Sequence, residues 1–276
     1  MEFILCYRGT RHKYLRKEKA MASRLSGVQS VERAFAILEA MAEENREIGV
    51  TQLSERLSLP APTIHRSMKT LVALGYARQN DSRRYSLGSR LLYLGDSAAR
   101  GMASWAKPTL LALSNECGET VNLATLEGDL VVYTAQSPSR HSMRMFTEVG
   151  RRVLPHSCGV GKAIMSQLDD DEARKIVKHT GMPKFTPTTI TTWPALKEEL
   201  ALIRKNGYAM DEGEQELGVR CIAVPVLGMS NPTALSISGP QTRVDKAFIA
   251  KYASSILKSA NILSTEFSKE ASKEGV

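Results

Sequence analysis

The chain has 276 residues, of which 42% are hydrophobic and 24% charged, ordinary values for a globular protein of about 100–200 residues per domain, hence two domains. Residues 1–90 hold 16 Lys and Arg against 9 Asp and Glu, while the remainder holds 21 against 20, so nearly all of the formal charge of +8 sits in the first third. Such concentration favours a polyanionic partner such as DNA, and no apolar run approaches the roughly 18 residues of a membrane span.

Taken in chain order, residues 1–25 read as a disordered or non-native extension with Met21 as the natural start. The short apolar start of this segment precedes its charges, the reverse of a secretory signal. The cysteines Cys6, Cys117, Cys158 and Cys221 are scattered without zinc-ribbon spacing, which fits a reduced, cytoplasmic chain.

Val31 to Ala42 carries apolar residues at helical spacing, with Ser30 as the expected N-cap. A short helix follows over Thr51 to Leu57, capped by Thr51 and stopped by Leu59-Pro60-Ala61-Pro62. The next helix, Pro62 to Leu74, is two-faced. Ile64, Met68, Leu71 and Val72 point inward, Thr63, Arg66, Ser67 and Thr70 oppose them, and His65 and Lys69 flank. No carboxylate occurs from Ala61 to Asn80. A helix that is merely solvated mixes both signs, whereas a surface facing phosphates excludes acids. Tyr76 to Gln79 and Arg83 to Leu87 flank the turn signal Asn80-Asp81-Ser82, predicting a two-stranded wing that carries Arg78, Arg83 and Arg84.

Ser89 to Gly101 reads as a linker helix, followed by a helical stretch from Trp105 to Cys117 interrupted or begun at Pro108. Thr120 to Thr125 and Leu130 to Ala135 are predicted strands around the turn Glu127-Gly128-Asp129. Met143 to Val149 is a further candidate strand. Helices are expected over Gly159 to Leu168, from the acidic start Asp169-Asp170-Asp171-Glu172, over Trp193 to Asn206, and over Ala247 to Phe267. Strands are expected over Tyr208 to Asp211, Arg220 to Leu227 and Thr233 to Ser238. The fold class is therefore α+β: a winged helix-turn-helix at 26–88, a linker helix at 89–103, and an antiparallel sheet with peripheral helices at 104–270.

Cys158-Gly159-Val160-Gly161-Lys162 looks like a phosphate loop but fails its pattern, since His156 stands at the first glycine position and Ala163 replaces the required hydroxyl. What survives is a glycine-bearing turn opening a helix, whose free N–H groups favour an anion. Strand alternation puts Ser236 and Ser238 on one side of the sheet. Together with Asp211 at a strand end and Cys221 at the start of the next, they can form a small polar pocket under the Gly159 turn. Two rival chemistries use the same region. His156, Cys158, Asp211 and Cys221 are all metal-ligand types, and Cys158 or Cys221 with His156 would make a nucleophile and its base. No local spacing supports a metal site, and no third group orients a base.

Four motifs in order give the chain a specific resemblance to the IclR-type bacterial transcriptional regulators over nearly all of Ser26–Phe267. They are Leu59-Pro60-Ala61-Pro62-Thr63-Ile64-His65-Arg66; His156-Ser157-Cys158-Gly159-Val160-Gly161-Lys162-Ala163; Gly207-Tyr208 with Asp211, Glu214 and Gly218-Val219-Arg220-Cys221-Ile222-Ala223; and Ser236-Ile237-Ser238-Gly239-Pro240. The pattern departs at Ala61-Pro62, where the family usually carries Lys-Ser. The resemblance implies a GAF-like effector domain behind the winged helix. It also implies a homodimer through the N-terminal helices, often paired into a tetramer. The partners would be double-stranded operator DNA and a small organic acid, with no cofactor, no metal, no catalysis and no membrane.

The expected DNA contacts are Thr63, His65, Arg66, Ser67, Lys69, Thr70, Arg78, Arg83 and Arg84. Matching positions of the family assign the effector to Gly159, Val160, Asp211, Cys221, Ser236 and Ser238, with Met145 and Val153 as apolar walls. The alternative is a small-molecule, metal or redox-sensing module that uses Cys158 and Cys221 without direct DNA function.

Overall fold

Apolar residues at helical spacing build three helices at the front of the chain: α1 (Gln29–Glu44), α2 (Val50–Leu57) and α3 (Ala61–Ala73). The structure, a computed structural model, describes residues 28–44, 46–102, 104–144 and 148–274 (for 99–102, 104 and 270–274 the backbone alone). The expected N-terminal extension and Met145 lie outside the described residues. Ile37, Leu38 and Met41 of α1, Leu53 of α2 and Ile64, Met68 and Leu71 of α3 form one buried cluster with Ala77 and Tyr85. Burying each such side chain contributes about 1.5–3 kcal/mol, which holds three helices too short to persist alone. Val72, expected inside, is instead exposed.

Two expected caps are corrected. Ser30 lies within α1, whose first turn closes on the Val28 carbonyl through the N–H groups of Val31 and Glu32. Thr51 also lies inside its helix. Gly49 is the cap of α2, and the Gln52 carboxamide oxygen accepts from its N–H at 3.1 Å. The turn between α2 and α3 is made at Ser58, a non-glycine residue at φ 53°. Its cost is offset by the Ser54 hydroxyl donating to the Leu59 carbonyl at 2.5 Å and by Leu59 N–H returning to the Ser54 carbonyl at 3.1 Å.

The wing is β1 (Ala77–Gln79) antiparallel to β2 (Tyr85–Leu87). Ile48 adds a bridge to Tyr85, with mutual backbone bonds of 2.9 and 2.8 Å. A single bridging residue has no alternation to read, so the sequence did not signal it. Helix α4 (Arg90–Met102) follows, and the chain divides into two units between Ala98 and Ala99, inside this helix.

The second unit begins with α5 (Lys107–Cys117), preceded by a 3-10 turn at Ser104–Ala106. Its sheet contains β3 (Thr120–Glu127), β4 (Leu130–Ser137), β5 (Arg152–Val153), β6 (Ala209–Asp211), β7 (Val219–Val226) and β8 (Thr233–Pro240), in the order β5-β4-β3-β8-β7-β6. Every neighbouring pair is antiparallel. The expected strand over Met143–Val149 is corrected: its described residues are bends, turn and coil, and the edge strand is the two-residue β5.

Alternation sends Leu123, Ile222, Val224, Leu235 and Ile237 to one face, under α5 and the long α9 (Lys246–Glu274). Ala124, Cys221, Ala223 and Ala234 go to the other, under α6 (Gly159–Met165), α7 (Asp170–Thr180) and α8 (Trp193–Asn206). Helix α6 stops three residues short of the expected Leu168. Acids suit the start of α7, where the Asp169 carboxylate accepts from Glu172 N–H at 2.8 Å. Glycine at 161 is a packing requirement, because a Cβ there would lie 2.3 Å from the Pro155 carbonyl oxygen. That close approach seats α6 on the preceding turn and lets all seven of its residues be buried.

Candidate functional site

In the first unit the exposed side of α3 presents His65, Arg66, Lys69 and Thr70, with Thr63 and Ser67 half-buried beside them. Thr70 donates back to the Arg66 carbonyl at 3.3 Å. Arg78 is exposed in the middle of β1, and Arg83 is exposed at the wing tip with φ 57°. Arg84 behaves differently. Its Nη2 donates to the Glu47 carbonyl at 2.7 Å and to the Gln52 carboxamide at 3.1 Å, so its guanidinium fastens the wing to the start of α2. Asn80 shapes the turn by accepting from Arg84 N–H at 2.9 Å. Arg56 is likewise engaged, pairing with Glu43 and with Glu44 at the end of α1. Arg90, at the start of α4, lies 5.6 Å from the centre of the Tyr76 ring. It is an exposed cation that the two-faced pattern of α3 did not point to.

In the second unit the strand register brings the polar residues into rows. Asp211 pairs with Cys221, Cys221 with Ser238, and Ser238 with Thr120. In the next row Ala223 pairs with Ser236, Ser236 with Asn122, and Asn122 with Gln136. The start of α6 closes on this face: a Cβ built on Gly159 would lie 3.0 Å from Cys221 Sγ and 3.5 Å from Asp211 Cβ. Gly159, Val160, Asp211, Cys221, Ser236 and Ser238 are thus gathered at one place, all of them buried. Val153 is buried in the apolar cluster behind them, with Val160 and Cys221.

The polar contacts here are sparse. Asn122 donates to the Ser238 hydroxyl at 3.4 Å and accepts from Gln136 at 3.0 Å. The Ser236 hydroxyl is completely buried, and among the described residues only the weakly bonding Cys221 thiol is placed to meet it. Asp211 accepts from Glu214 N–H at 2.8 Å and from the N–H groups of Gly213 and Gly159. The anion-favouring end of α6 therefore already holds a carboxylate of the chain itself.

Behind it, Lys162 is 1% exposed and donates to Glu214 at 2.5 Å and Glu199 at 3.1 Å. Burial alone would push Lys162 down, but the Glu214 carboxylate and then Glu199 outweigh it and raise it. Burial pushes Asp211 up to about 6 and Glu214 up to about 7. Asn122, Gln136, Glu214 and Lys162 were missed as site residues. The last two stood inside quoted motifs, but only register and packing bring any of them to Asp211.

The rival chemistries lack geometry. Among the described residues no three His, Cys, Asp or Glu side chains gather as metal ligands. The His156 ring faces the Pro183 carbonyl at 3.1 Å and the ring of Phe185. Burial, then the charge of Asp211, pushes the Cys221 thiol up to about 12 and Cys158 higher still, which removes the thiolate a nucleophile needs.

A winged helix-turn-helix with an acid-free exposed face, followed by a sheet domain with a buried polar row, is the build of a DNA-binding transcriptional regulator. Residues 30–81 match the IclR helix-turn-helix domain, and residues 98–265 match the bacterial transcriptional regulator IclR C-terminal domain. The chain belongs to the IclR family of bacterial transcriptional regulators. It is 35% identical over 244 residues to the HTH-type transcriptional regulator KdgR of Escherichia coli, covering 87% of this chain and 92% of that one. The Thermotoga maritima IclR structure superposes with a TM-score of 0.71 at 27% identity, covering 87% and 97%. An IclR homologue of Microbacterium hydrocarbonoxydans, complexed with 4-hydroxybenzoate, has the same fold, with a TM-score of 0.72 at 23% identity and coverage of 87% and 100%.

Proposed function

We propose that this regulator binds a palindromic operator as a cytoplasmic homodimer or dimer of dimers, and that a small carboxylic acid bound at the Asp211, Cys221 and Ser238 row modulates that binding. Helix α3 enters the major groove with Thr63, Arg66, Ser67 and Thr70 towards the bases, while His65 and Lys69 meet phosphates. Arg78 and Arg83 of the wing reach the neighbouring backbone or minor groove. Arg84, engaged with Glu47 and Gln52, contributes there chiefly by holding the wing in position.

The observation that carries the effector reading is the Ser236 hydroxyl. A buried hydroxyl left with nothing better than a thiol, here that of Cys221, is poorly satisfied, at a cost of up to about 1–3 kcal/mol, and a ligand that bonds it recovers part of that cost. The Asp211 carboxylate in the adjoining row, two strands away, and the apolar Val153 and Val160 suit a small, partly polar molecule. The acid bound by the Microbacterium homologue supports a carboxylic acid as the class.

Dimerisation is supported by the exposed apolar stripe Val28, Val31 and Phe35 along the start of α1, which are 66, 51 and 60% accessible. Ligand control requires that the acid bind the DNA-competent and DNA-released states with different affinity.

A thermal-shift screen of the full chain with short keto acids, sugar acids and aromatic acids tests the reading, since a ligand raises stability by mass action. A hit should also alter operator affinity, and Ser236→Ala should weaken its binding. A hit that leaves operator affinity unchanged rejects the control mechanism.

A further inference from the structure

Four ionisable side chains meet beside the polar row: Asp211 at the end of β6, Glu214 in the loop after it, Lys162 of α6 and Glu199 of α8. Lys162, 1% exposed, is held by Glu214 and Glu199 together. One oxygen of Glu214 is buried with no partner. The loop that carries Glu214 is pinned from outside, where the Thr189 hydroxyl donates to its carbonyl at 2.6 Å and Thr188 to that of Gly213 at 3.1 Å. The Glu214 carboxylate therefore cannot swing out to water without breaking that latch, whereas Glu199 on α8 is partly exposed. Fully ionised, the cluster sets three carboxylates against a single ammonium, and that ammonium is already shared by two of them.

The other groups around Asp211 are neutral acids. The charge of Asp211 acts on Cys221 of β7, on Cys158 before α6 and on Tyr133 of β4. The next cation, Arg151, acts on Tyr133 and Glu216. Among the described residues, an anionic ligand seated on this row thus meets Asp211 with no ammonium beside it other than that of Lys162, which Glu214 and Glu199 hold.

We propose that the acid effector enters together with one proton, held on the Asp211 and Glu214 pair, so that the site takes up the anion and a proton as a neutral unit. This deepens the proposed effector site and rests on it. The balance is simple: ligand carboxylate, ionised Asp211 and one solvent proton give the complex with Asp211 protonated, and no other bond changes. Protonated Asp211 then donates a hydrogen bond to the ligand instead of repelling it. Both carboxyls are already displaced towards neutrality in the free protein, by burial foremost, so the added negative charge has only to complete the shift. The ligand's own carboxyl, with a pKa of about 4, stays ionised in the window concerned.

Titration calorimetry on the full chain with 4-hydroxybenzoate, pyruvate and gluconate, between about pH 6 and pH 8 in two buffers of different ionisation heat, tests this. The expected result is uptake of up to one proton per ligand, with affinity falling up to about tenfold per pH unit towards the alkaline end. The amide of the bound acid should show no such dependence. Asp211→Asn, which mimics the protonated form, should make the affinity for the acid equal at both ends of the range, and Asp211→Ser, which also removes the titrating carboxyl, serves the same purpose should Asp211→Asn fail to fold. Binding of equal strength across the range, with no buffer-dependent heat, overturns the proposal and leaves the effector site standing. No binding by any acid at any pH overturns the effector site itself, and this proposal with it.

Discussion

Arg66 and Arg83 are where a single side chain tests the proposed DNA surface. Arg66→Ala should weaken operator binding by about 1–3 kcal/mol if the guanidinium reads a base. A gel-shift comparison with random DNA decides, because equal loss on both makes Arg66 a phosphate contact. Arg83 holds φ at 57°, a conformation that costs an L-residue about 1 kcal/mol or more. Arg83→Gly should therefore leave thermal stability equal or higher while lowering affinity for operator, and a fall in both would remove the wing-tip contact as the reason for an arginine there.

At the same scale, Asp211 and Glu214 make stability depend on pH. Both are raised in the folded state, from 3.8 to about 6 and from 4.5 to about 7. Their contribution is complete below the unfolded values and is lost as pH rises through the folded ones. Unfolding midpoints in urea should show this loss between about pH 4 and pH 7, and Asp211→Asn should flatten the lower part of it. The acid-free stretch around Arg66 was readable from the sequence, because helical spacing alone opposes it to Ile64 and Met68. The engagement of Arg84 was not readable, since Glu47 and Gln52 reach it only once the wing folds back on α2.

Among elements, α6 and α1 carry the clearest expectations. Gly161→Ala would place a methyl group 2.3 Å from the Pro155 carbonyl oxygen. Helix α6 must then lift from its turn, so the C-terminal domain should lose stability by at least the 1–3 kcal/mol typical of overpacking, measurable as an earlier calorimetric transition. Helix α1 is buried through Ile37, Leu38 and Met41 and open along Val31 and Phe35. Charge at Phe35, as Phe35→Glu, should shift the protein to monomers in sedimentation and weaken operator binding with it. An unchanged oligomer would take the dimer contact away from α1. Helix periods and strand alternation made most elements legible, Trp193–Asn206 to the residue. Elements of one or two residues were not, because Ile48 and Arg152–Val153 are too short to carry a period.

For the molecule as a whole, the charge asymmetry predicts that DNA affinity falls steeply with salt. The slope of log affinity against log salt should be close to −0.9 per phosphate neutralised, and replacing Lys69 or Arg78 should reduce it by about one each. A salt-independent affinity would contradict a phosphate-facing α3 and wing. Two differently built halves were also evident from sequence: a basic, helical first third, then strands with turns between them. Local patterns sufficed there, because helix, strand and turn preferences act within a few residues of one another.

Convergence of the polar row was a different matter. Alternation paired Ser236 with Ser238 on one side of a strand. Only the strand order and register set Asp211 beside Cys221, Cys221 beside Ser238, and Asn122 beside Ser236. The glycine turn read as an anion seat proved to hold Asp211's own carboxylate, and Lys162, the lysine of that turn, proved to be buried between Glu199 and Glu214. Sequence by itself determined most of the elements, the acid-free exposed face of α3 and the family. Tertiary structure alone decided the electrostatics of the proposed effector site, because the charge on a buried carboxyl depends on the desolvation and neighbours that long-range packing brings to it.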